Sequence, residues 1–217
     1  LVLLDNAPTG LLPGKHYTAL VSADNFGLGK IAAAGLEPHL PQGAEVGVLG
    51  FAADFFATNE REIAFIKWLQ ANRADVRVHV ARFGRIDEAG KLVDRLLADH
   101  PALAGLFVVW DTPALAVAAR LRDAGRSLPM ATVDLGEGVA VDLAKGGSVT
   151  CIAAQLPYQQ GIAAAQTVIL SLLARPVPAW IALPGLRVTR DNVVESFQTV
   201  WRQPAPREVI RVLGLAG

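Results

Sequence analysis

Two side chains suited to hydroxyl recognition follow consecutive apolar runs in the second half of the chain. Asp134 comes directly after the run 131–133, and Gln155 follows the run 148–154. A carboxylate accepts hydrogen bonds from hydroxyls, and a Gln amide both donates and accepts them. If both runs are strands of one parallel sheet, these side chains lie at its carboxyl edge, where such sheets bind ligands. The pattern favours a small polar ligand; the alternative for Asp134 is a cap on the following helix.

Three further side chains occupy comparable positions. Arg61 lies near the start of a predicted helix that follows the apolar run 45–50, and its guanidinium suits vicinal hydroxyls. Phe83 and Trp110 come just after two other predicted strands, where an aromatic face can stack on the C–H face of a sugar. The alternatives are a surface arginine and two aromatic rings that only close the edge of the core.

The elements that must position these side chains alternate along the chain. Apolar strand-like runs are separated by helical patterns, which is typical of a doubly wound α/β fold. Proline residues at 176, 178 and 184 indicate an extended connection late in the chain. The predicted strands cover 1–4, 18–22, 45–50, 76–81, 104–109, 130–133, 149–154 and 186–189.

The composition limits the possible partners. In 217 residues, 20 basic side chains balance 20 acidic ones, which argues against a nucleic-acid surface or an anionic membrane anchor. Hydrophobic residues make up 52% of the chain, enough for a large core. Cys151 is the only cysteine, so an internal disulfide is impossible. The apolar tail 209–217 is expected to pack on the rest of the protein.

Motifs for catalysis or cofactor binding are weak or missing. Gly27 to Ala32 satisfies a GxGxxA pattern, but three residues separate it from the preceding strand, so we expect the glycines to let this helix pack closely on the sheet. The sequence holds no GxSxG, HExxH, CxxC or phosphate-binding loop, and its four histidines lie on separate predicted elements without ligand spacing. The sequence therefore predicts no enzyme, no cofactor and no metal site.

The order and spacing of several segments resemble the type I periplasmic sugar-binding proteins, the ribose-binding-protein-like group. These segments are LVLLDNAP (1–8), SADNFGLGKIAA (22–33), REIAF (61–65), ADHPALAGLFVVWDTPALAVAARLRDAG (98–125), VDLGEG (133–138) and AAQLPYQQGIAAA (153–165). The resemblance implies two α/β lobes that close over one monosaccharide by a hinge motion. It also implies a periplasmic location and delivery of the sugar to the membrane permease of an ABC transporter.

The resemblance implies a ligand site shared between the two lobes. Asn6 replaces an Arg of the ribose binders, and Trp110 stands where many members have Asn, so we expect a preferred sugar other than ribose. The implied ligand-binding residues are Asp5 and Asn6 from the first lobe, Arg61, Phe83, Trp110 and Asp134 from the second, and Gln155 at a hinge crossing.

The chain departs from the family pattern in length. About three βα units, on the order of 100 residues, would precede LVLLDNAP in a complete first lobe. We therefore expect an incomplete N-terminal lobe of residues 1–23 and 156–184 beside a C-terminal lobe of residues 24–155 and 185–217. Such a chain is expected to bind sugar weakly alone, and its unpaired strand edges make a homodimer plausible.

An alternative interpretation is that the chain resembles the effector-binding domain of a LacI-type sugar-responsive transcription regulator, which has the same fold. Such regulators usually carry a Gly-His pair before the strand near Glu45 and a Pro-acidic loop before the strand that ends near Asp134. Here these places hold Pro41-Gln42-Gly43 and Arg126-Ser127-Leu128-Pro129. The sequence therefore favours the transport protein.

Overall fold

The computed structural model describes residues 1–215 and contains two β-sheets. The smaller sheet has three parallel strands in the order β1-β2-β8, and the larger has six in the order β4-β3-β5-β6-β7-β9, with only β9 antiparallel to its neighbour. The strands are β1 (Val2–Leu4), β2 (Ala19–Ala23), β3 (Glu45–Phe51), β4 (Arg77–Phe83), β5 (Leu103–Val108), β6 (Met130–Val133), β7 (Val149–Ala154), β8 (Trp180–Leu183) and β9 (Leu186–Val188).

Helices form six of the eight connections between consecutive strands, and within residues 1–215 two more helices follow β9. They are α1 (Asn25–Leu36), α2 (Phe56–Asn72), α3 (Ala89–Asp99), α4 (Asp111–Asp123), α5 (Glu137–Ala144), α6 (Pro157–Leu172), α7 (Val193–Trp201) and α8 (Arg207–Val212), with short 3-10 turns at Glu37–His39 and Ile86–Glu88. The predicted α/β class and type I binding-protein fold are confirmed. Within the described residues, no helix is both long and apolar enough to span a bilayer.

The strand order of the larger sheet decides where a ligand can enter. Numbered from β3 along the chain, its parallel strands follow the order 2-1-3-4-5, which is a doubly wound arrangement. The connection that leaves β3 runs to β4 on one side, whereas the connection that leaves β5 runs to β6 on the other side, so a crevice opens beyond the carboxyl ends of β3 and β5. Ligands of doubly wound folds bind at this switch point.

The glycines of the GxGxxA segment do not act as the sequence suggested. A Cβ atom on Gly29 would lie 2.3 Å from the Arg61 carbonyl oxygen, so this glycine lets α1 pack on α2 rather than on the sheet. The close approach to the sheet occurs at Gly35, whose Cβ would lie 2.1 Å from Cys151 Sγ on β7. The carboxylate of Asp24 caps α1 by accepting a hydrogen bond from the Gly27 N–H at 2.8 Å.

The core forms where α2 covers the larger sheet. Phe65 of α2 stacks on Phe107 of β5 with ring centroids 4.2 Å apart, and both side chains are fully buried. This packing fixes the rotation of α2, which determines where its other side chains point. The expected packing of the apolar tail is confirmed at Val209 of α8, which is buried, but not at Leu215, which is 60% exposed. Residues 216–217 lie outside the described part.

The proposed division into lobes remains a prediction. In the structure, β1 and β2 precede residue 24 and pair with β8, whereas β3 to β7 pair with β9. The strand β8 falls inside the segment that the sequence assigned to a proline-rich connection. Its four residues pair only with β2 among the described strands.

Candidate functional site

A cavity of about 280 Å³ opens at the carboxyl ends of β3 and β5, as the switch-point geometry requires. Its walls come from the larger sheet and from the first turns of α2, while Asp5 reaches in from the smaller sheet. The lining residues are Asp5, Phe51, Phe55, Ala57, Thr58, Arg61, Trp110, Asp134 and Gln155. The structure thus brings together five of the seven residues selected from the sequence.

Arg61 anchors the polar side of the cavity. It lies in the second turn of α2, is only 3% exposed, and is therefore not a surface arginine. Its Nε–H donates to Asn25 Oδ1 at 2.9 Å, and its Nη1 donates to the Val109 carbonyl and to Asp134 Oδ2, both at 3.1 Å. These bonds hold the guanidinium in one orientation beside the cavity.

Asp134 occupies a strained position after β6. Its φ of +72° lies in the left-handed region, which Asp tolerates better than most side chains. The carboxylate accepts from Arg61 Nη1 and, at 2.7 Å, from Gln155 Nε2. The N-cap residue of α5 is Gly136, so the alternative in which Asp134 caps that helix is wrong.

Asp5 faces this arrangement from the smaller sheet. It follows β1, has a φ of +71°, and its backbone N–H donates to the Val21 carbonyl at 2.8 Å. Its Oδ1 is buried and has no hydrogen-bond partner within residues 1–215. Burial, with a smaller contribution from the Asp134 charge, raises the pKa of Asp5 despite the opposing Arg61 guanidinium.

Asn6 lies beside the cavity without lining it. Its Nδ2 donates to Asp5 Oδ2 at 2.7 Å, and its Oδ1 accepts from the Ala57 N–H at 3.2 Å. Asn6 therefore ties the end of β1 to the first turn of α2 and orients the Asp5 carboxylate. Its expected contact with a ligand remains a prediction.

Aromatic rings form the apolar side of the cavity. Trp110 meets Phe51 edge to face at 5.3 Å between ring centroids. Phe83, the last residue of β4, is 1% exposed and supports both rings from behind, at 5.2 Å from Trp110 and 5.7 Å from Phe51. Phe83 therefore does not line the cavity, in line with the core-closing alternative.

Several lining residues, and the neighbouring Asp111, were missed in the sequence. Phe51 ends β3 and could have been found as an aromatic residue at a strand end, whereas Phe55 precedes α2 without any local signal. Asp111 lines a smaller adjoining cavity of about 180 Å³ together with Asp134 and Gln155. Burial, and then the Asp134 charge, raises the pKa of Asp111.

Two histidines that the sequence placed on separate elements lie together near the amino ends of the strands of the larger sheet, at the other end of these strands from the cavity. The rings of His79 and His100 stack with centroids 3.6 Å apart, and Glu45 completes a three-residue cluster. The expectation of isolated histidines is therefore wrong for this pair. The spacing along the chain concealed a contact that tertiary packing creates.

Comparison with known proteins identifies the family. The model of the periplasmic binding protein domain family matches residues 1–174, which is most of the chain. The chain belongs to the periplasmic binding protein family. No curated protein sequence shows a significant match. This is a family of binding proteins, in agreement with the sequence-based expectation that the chain is not an enzyme.

Solved structures of similar fold include several solute-binding proteins. An ABC transporter solute-binding protein from Agrobacterium vitis, bound with alpha-D-tagatopyranose, aligns with a TM-score of 0.82 at 22% identity, over 94% of this chain and 71% of that one. A second protein from the same organism, with bound D-fucose, gives 0.81 at 20% identity over 92% and 70%. A carbohydrate transporter solute-binding protein from Agrobacterium radiobacter, in complex with D-arabinose, gives 0.79 at 16% over 92% and 70%. At these identities the likeness shows the fold.

Proposed function

We propose that this periplasmic binding protein binds a monosaccharide in the 280 Å³ cavity and serves as the solute-binding component of an ABC-type sugar transporter. The observation that carries the proposal is that Asp5, Arg61, Asp134 and Gln155 converge on this cavity, with the buried Oδ1 atom of Asp5 left without a hydrogen-bond donor in the described chain. A buried acceptor without a donor is costly. A ligand hydroxyl would supply the missing donor.

The polar side of the cavity suits a polyhydroxylated ligand. The carboxylates of Asp5 and Asp134 accept hydroxyl hydrogen bonds, and bonds to charged acceptors are stronger than neutral ones. Arg61 uses Nε and Nη1 in its protein contacts, so its Nη2 group is left as a donor toward a ring or hydroxyl oxygen. Gln155 can both donate and accept. Alternating donors and acceptors of this kind match neighbouring sugar hydroxyls.

The apolar side suits the C–H face of the same ligand. Trp110 and Phe51 line the cavity, and Phe83 supports both rings from below. An aromatic face packs well on apolar C–H groups, and the edge-to-face pairing of the rings limits their freedom to rotate away. One polar and one aromatic wall favour a sugar over a purely ionic or purely apolar ligand.

Both sheets contribute side chains to the cavity, which supports a mechanism in which the protein closes around its ligand. Asp5 follows a strand of the smaller sheet, whereas Arg61 and Asp134 belong to the larger sheet and its connections. A ligand that bonds to both carboxylates would link the two sheets and stabilise a closed arrangement. The closed form would then be recognised by a permease outside the cytoplasm, as the family name and related folds suggest. The homodimer remains a prediction.

A thermal-shift panel of pentoses and hexoses tests this function. Because this chain is expected to bind sugar weakly alone, the sugars are added at high concentration; at least one monosaccharide should then raise the Tm of the wild-type chain, and Asp134→Ala should abolish the shift. Asp94→Ala is the matched control, because Asp94 is an exposed aspartate that pairs with Arg120 away from the cavity. Equal shifts in wild type and Asp134→Ala would contradict the proposal.

A further inference from the structure

A second cluster of potential ligand side chains lies at the amino ends of the strands of the larger sheet. Glu45 is the first residue of β3, His79 lies near the start of β4, and His100 follows α3. One ligand atom from each lies within 4.8 Å of the others. The sugar cavity opens at the carboxyl ends of the same strands, so the two places are at opposite edges of the sheet.

The backbone explains why these side chains meet. Gly47 pairs with His79 in the β3–β4 register, and Glu45 lies two residues before Gly47, so Glu45 and His79 share one face of the sheet. A Cβ on Gly47 would lie 2.6 Å from Leu96 Cδ2, which shows that α3 packs closely on this face. The end of α3 therefore delivers His100 onto the ring of His79.

The cluster has the composition and spacing of a metal site. His79 Nε2 lies 3.1 Å from Glu45 Oε2. Two ligands of a tetrahedral Zn²⁺, at the usual Zn–N and Zn–O lengths, are roughly 3.3 Å apart. The remaining separations are at most 4.8 Å, and because the two rings are stacked, one of them must also turn before a nitrogen of each can point at a shared ion. Two imidazoles and a carboxylate form a familiar three-ligand Zn²⁺ set.

We propose that Glu45, His79 and His100 form a Zn²⁺ site at the edge of the sheet opposite the sugar cavity. The ion would take the place of the contact between His79 Nε2 and Glu45 Oε2, and water would fill the fourth position. The uncharged imidazole is the form that binds metal, and each ring would offer the ion one nitrogen lone pair in its own plane.

The surroundings support the ligands and leave the site accessible. The Arg77 guanidinium bonds to Glu45 Oε1, which leaves Oε2 directed toward His79. Such outer contacts orient metal ligands. The side chains of His79 and Glu45 are 23% and 14% exposed, and both histidines border a surface cavity of about 430 Å³ that also contains Asp99. A hydrated ion can therefore reach the site from solvent.

A bound ion would join β3, β4 and the end of α3. Because it binds the folded chain, Zn²⁺ at a hundredfold excess over its Kd should raise the Tm by about 5–10 °C for a chain of this size. The sugar site is not involved, so metal binding and sugar binding should be separable.

Calorimetric titration of the untagged, EDTA-treated chain with Zn²⁺ tests the site, and Co²⁺ serves as a second probe because tetrahedral coordination gives visible absorption bands. One Zn²⁺ per chain is expected. Zn²⁺ binding should be weakened by about 10-fold to 100-fold in each of three variants, His79→Ala, His100→Ala and the conservative Glu45→Gln. His39→Ala, at an exposed histidine on another element, should leave it unchanged.

Three results would overturn the site. The first is no saturable Zn²⁺ binding by the wild-type chain, the second is equal binding in the ligand variants, and the third is equal weakening by His39→Ala. Circular dichroism of each variant shows whether it is folded, and Glu45→Gln keeps a side-chain oxygen that can accept from Arg77. A folded Glu45→Gln with undiminished Zn²⁺ affinity would contradict the proposed carboxylate ligand.

Discussion

Replacement of Arg61 by alanine should be among the most destabilising single changes in this chain. The side chain is 4% exposed and satisfies Asn25, the Val109 carbonyl and Asp134. Its loss leaves the Oδ1 atom of Asn25, a residue only 2% exposed, without a hydrogen-bond donor, and leaves the Asp134 carboxylate without its cation. Breaking a buried ion pair costs about 3–5 kcal/mol. Asp134 is 25% exposed and keeps Gln155, so we expect about 3 kcal/mol, the lower end.

Urea unfolding measures this cost, and a second arginine provides the control. Arg120 bonds to Asp94 in an equally direct ion pair, but the two side chains are 50% and 37% exposed. Arg120→Ala should therefore cost less than about 1 kcal/mol. In thermal melts, Arg61→Ala should lower the Tm by about 6–12 °C. Equal losses of stability in the two variants would refute the argument that burial gives Arg61 its importance.

The remaining predictions concern helix packing and pH. Gly29→Ala should destabilise the chain by about 1–3 kcal/mol in urea unfolding, because the new methyl group would lie 2.3 Å from the Arg61 carbonyl oxygen on α2. Gly161→Ala, inside α6 with no neighbour in the described chain within 4 Å of the new methyl group, should stabilise the chain by up to about 1 kcal/mol; a loss of stability would show that the space beside Gly161 is not free. Sugar affinity should fall with decreasing pH, because hydroxyl binding favours the ionised Asp5 carboxylate. Since burial raises the pKa of Asp5, the loss of sugar affinity should begin above pH 3.8. Asp5→Asn should flatten the pH dependence of sugar affinity, and a wild-type affinity unchanged down to pH 3.8 would contradict this role of Asp5.

Local patterns predicted the strands well because most of them are buried, apolar and separated by clear helical segments. The strand β8 (Trp180–Leu183) was not predicted, because prolines surround it and its side chains are only partly buried. Proline is tolerated at the ends of edge strands, so a proline-rich segment does not exclude a short strand.

The site residues that the sequence placed correctly are those that follow the carboxyl ends of neighbouring strands. Asp134 and Gln155 could be placed near each other because neighbouring parallel strands end at one edge. Phe83 also comes at a strand end, yet it points into the core, and sequence position alone does not distinguish these two orientations.

Tertiary packing created the contacts that the sequence did not reveal. Phe55 enters the cavity only because α2 is held against α1, and His100 meets His79 only because α3 lies closely over Gly47. In each case a glycine on the facing element permits the approach. The residue pairs themselves have no fixed spacing that a sequence pattern could detect.

Titration followed by ¹H–¹⁵N NMR of the tryptophan indoles shows directly whether a monosaccharide enters the cavity. The probe is the monosaccharide that gives the largest thermal shift. The Trp110 indole signal should move saturably, since this ring lines the cavity, while that of Trp68 on α2 outside the cavity lining should not. The Trp110 response should disappear in Asp134→Ala. No saturable movement of the Trp110 signal with any monosaccharide, or the same movement in Asp134→Ala, would contradict a sugar site built on the Asp5, Arg61 and Asp134 wall.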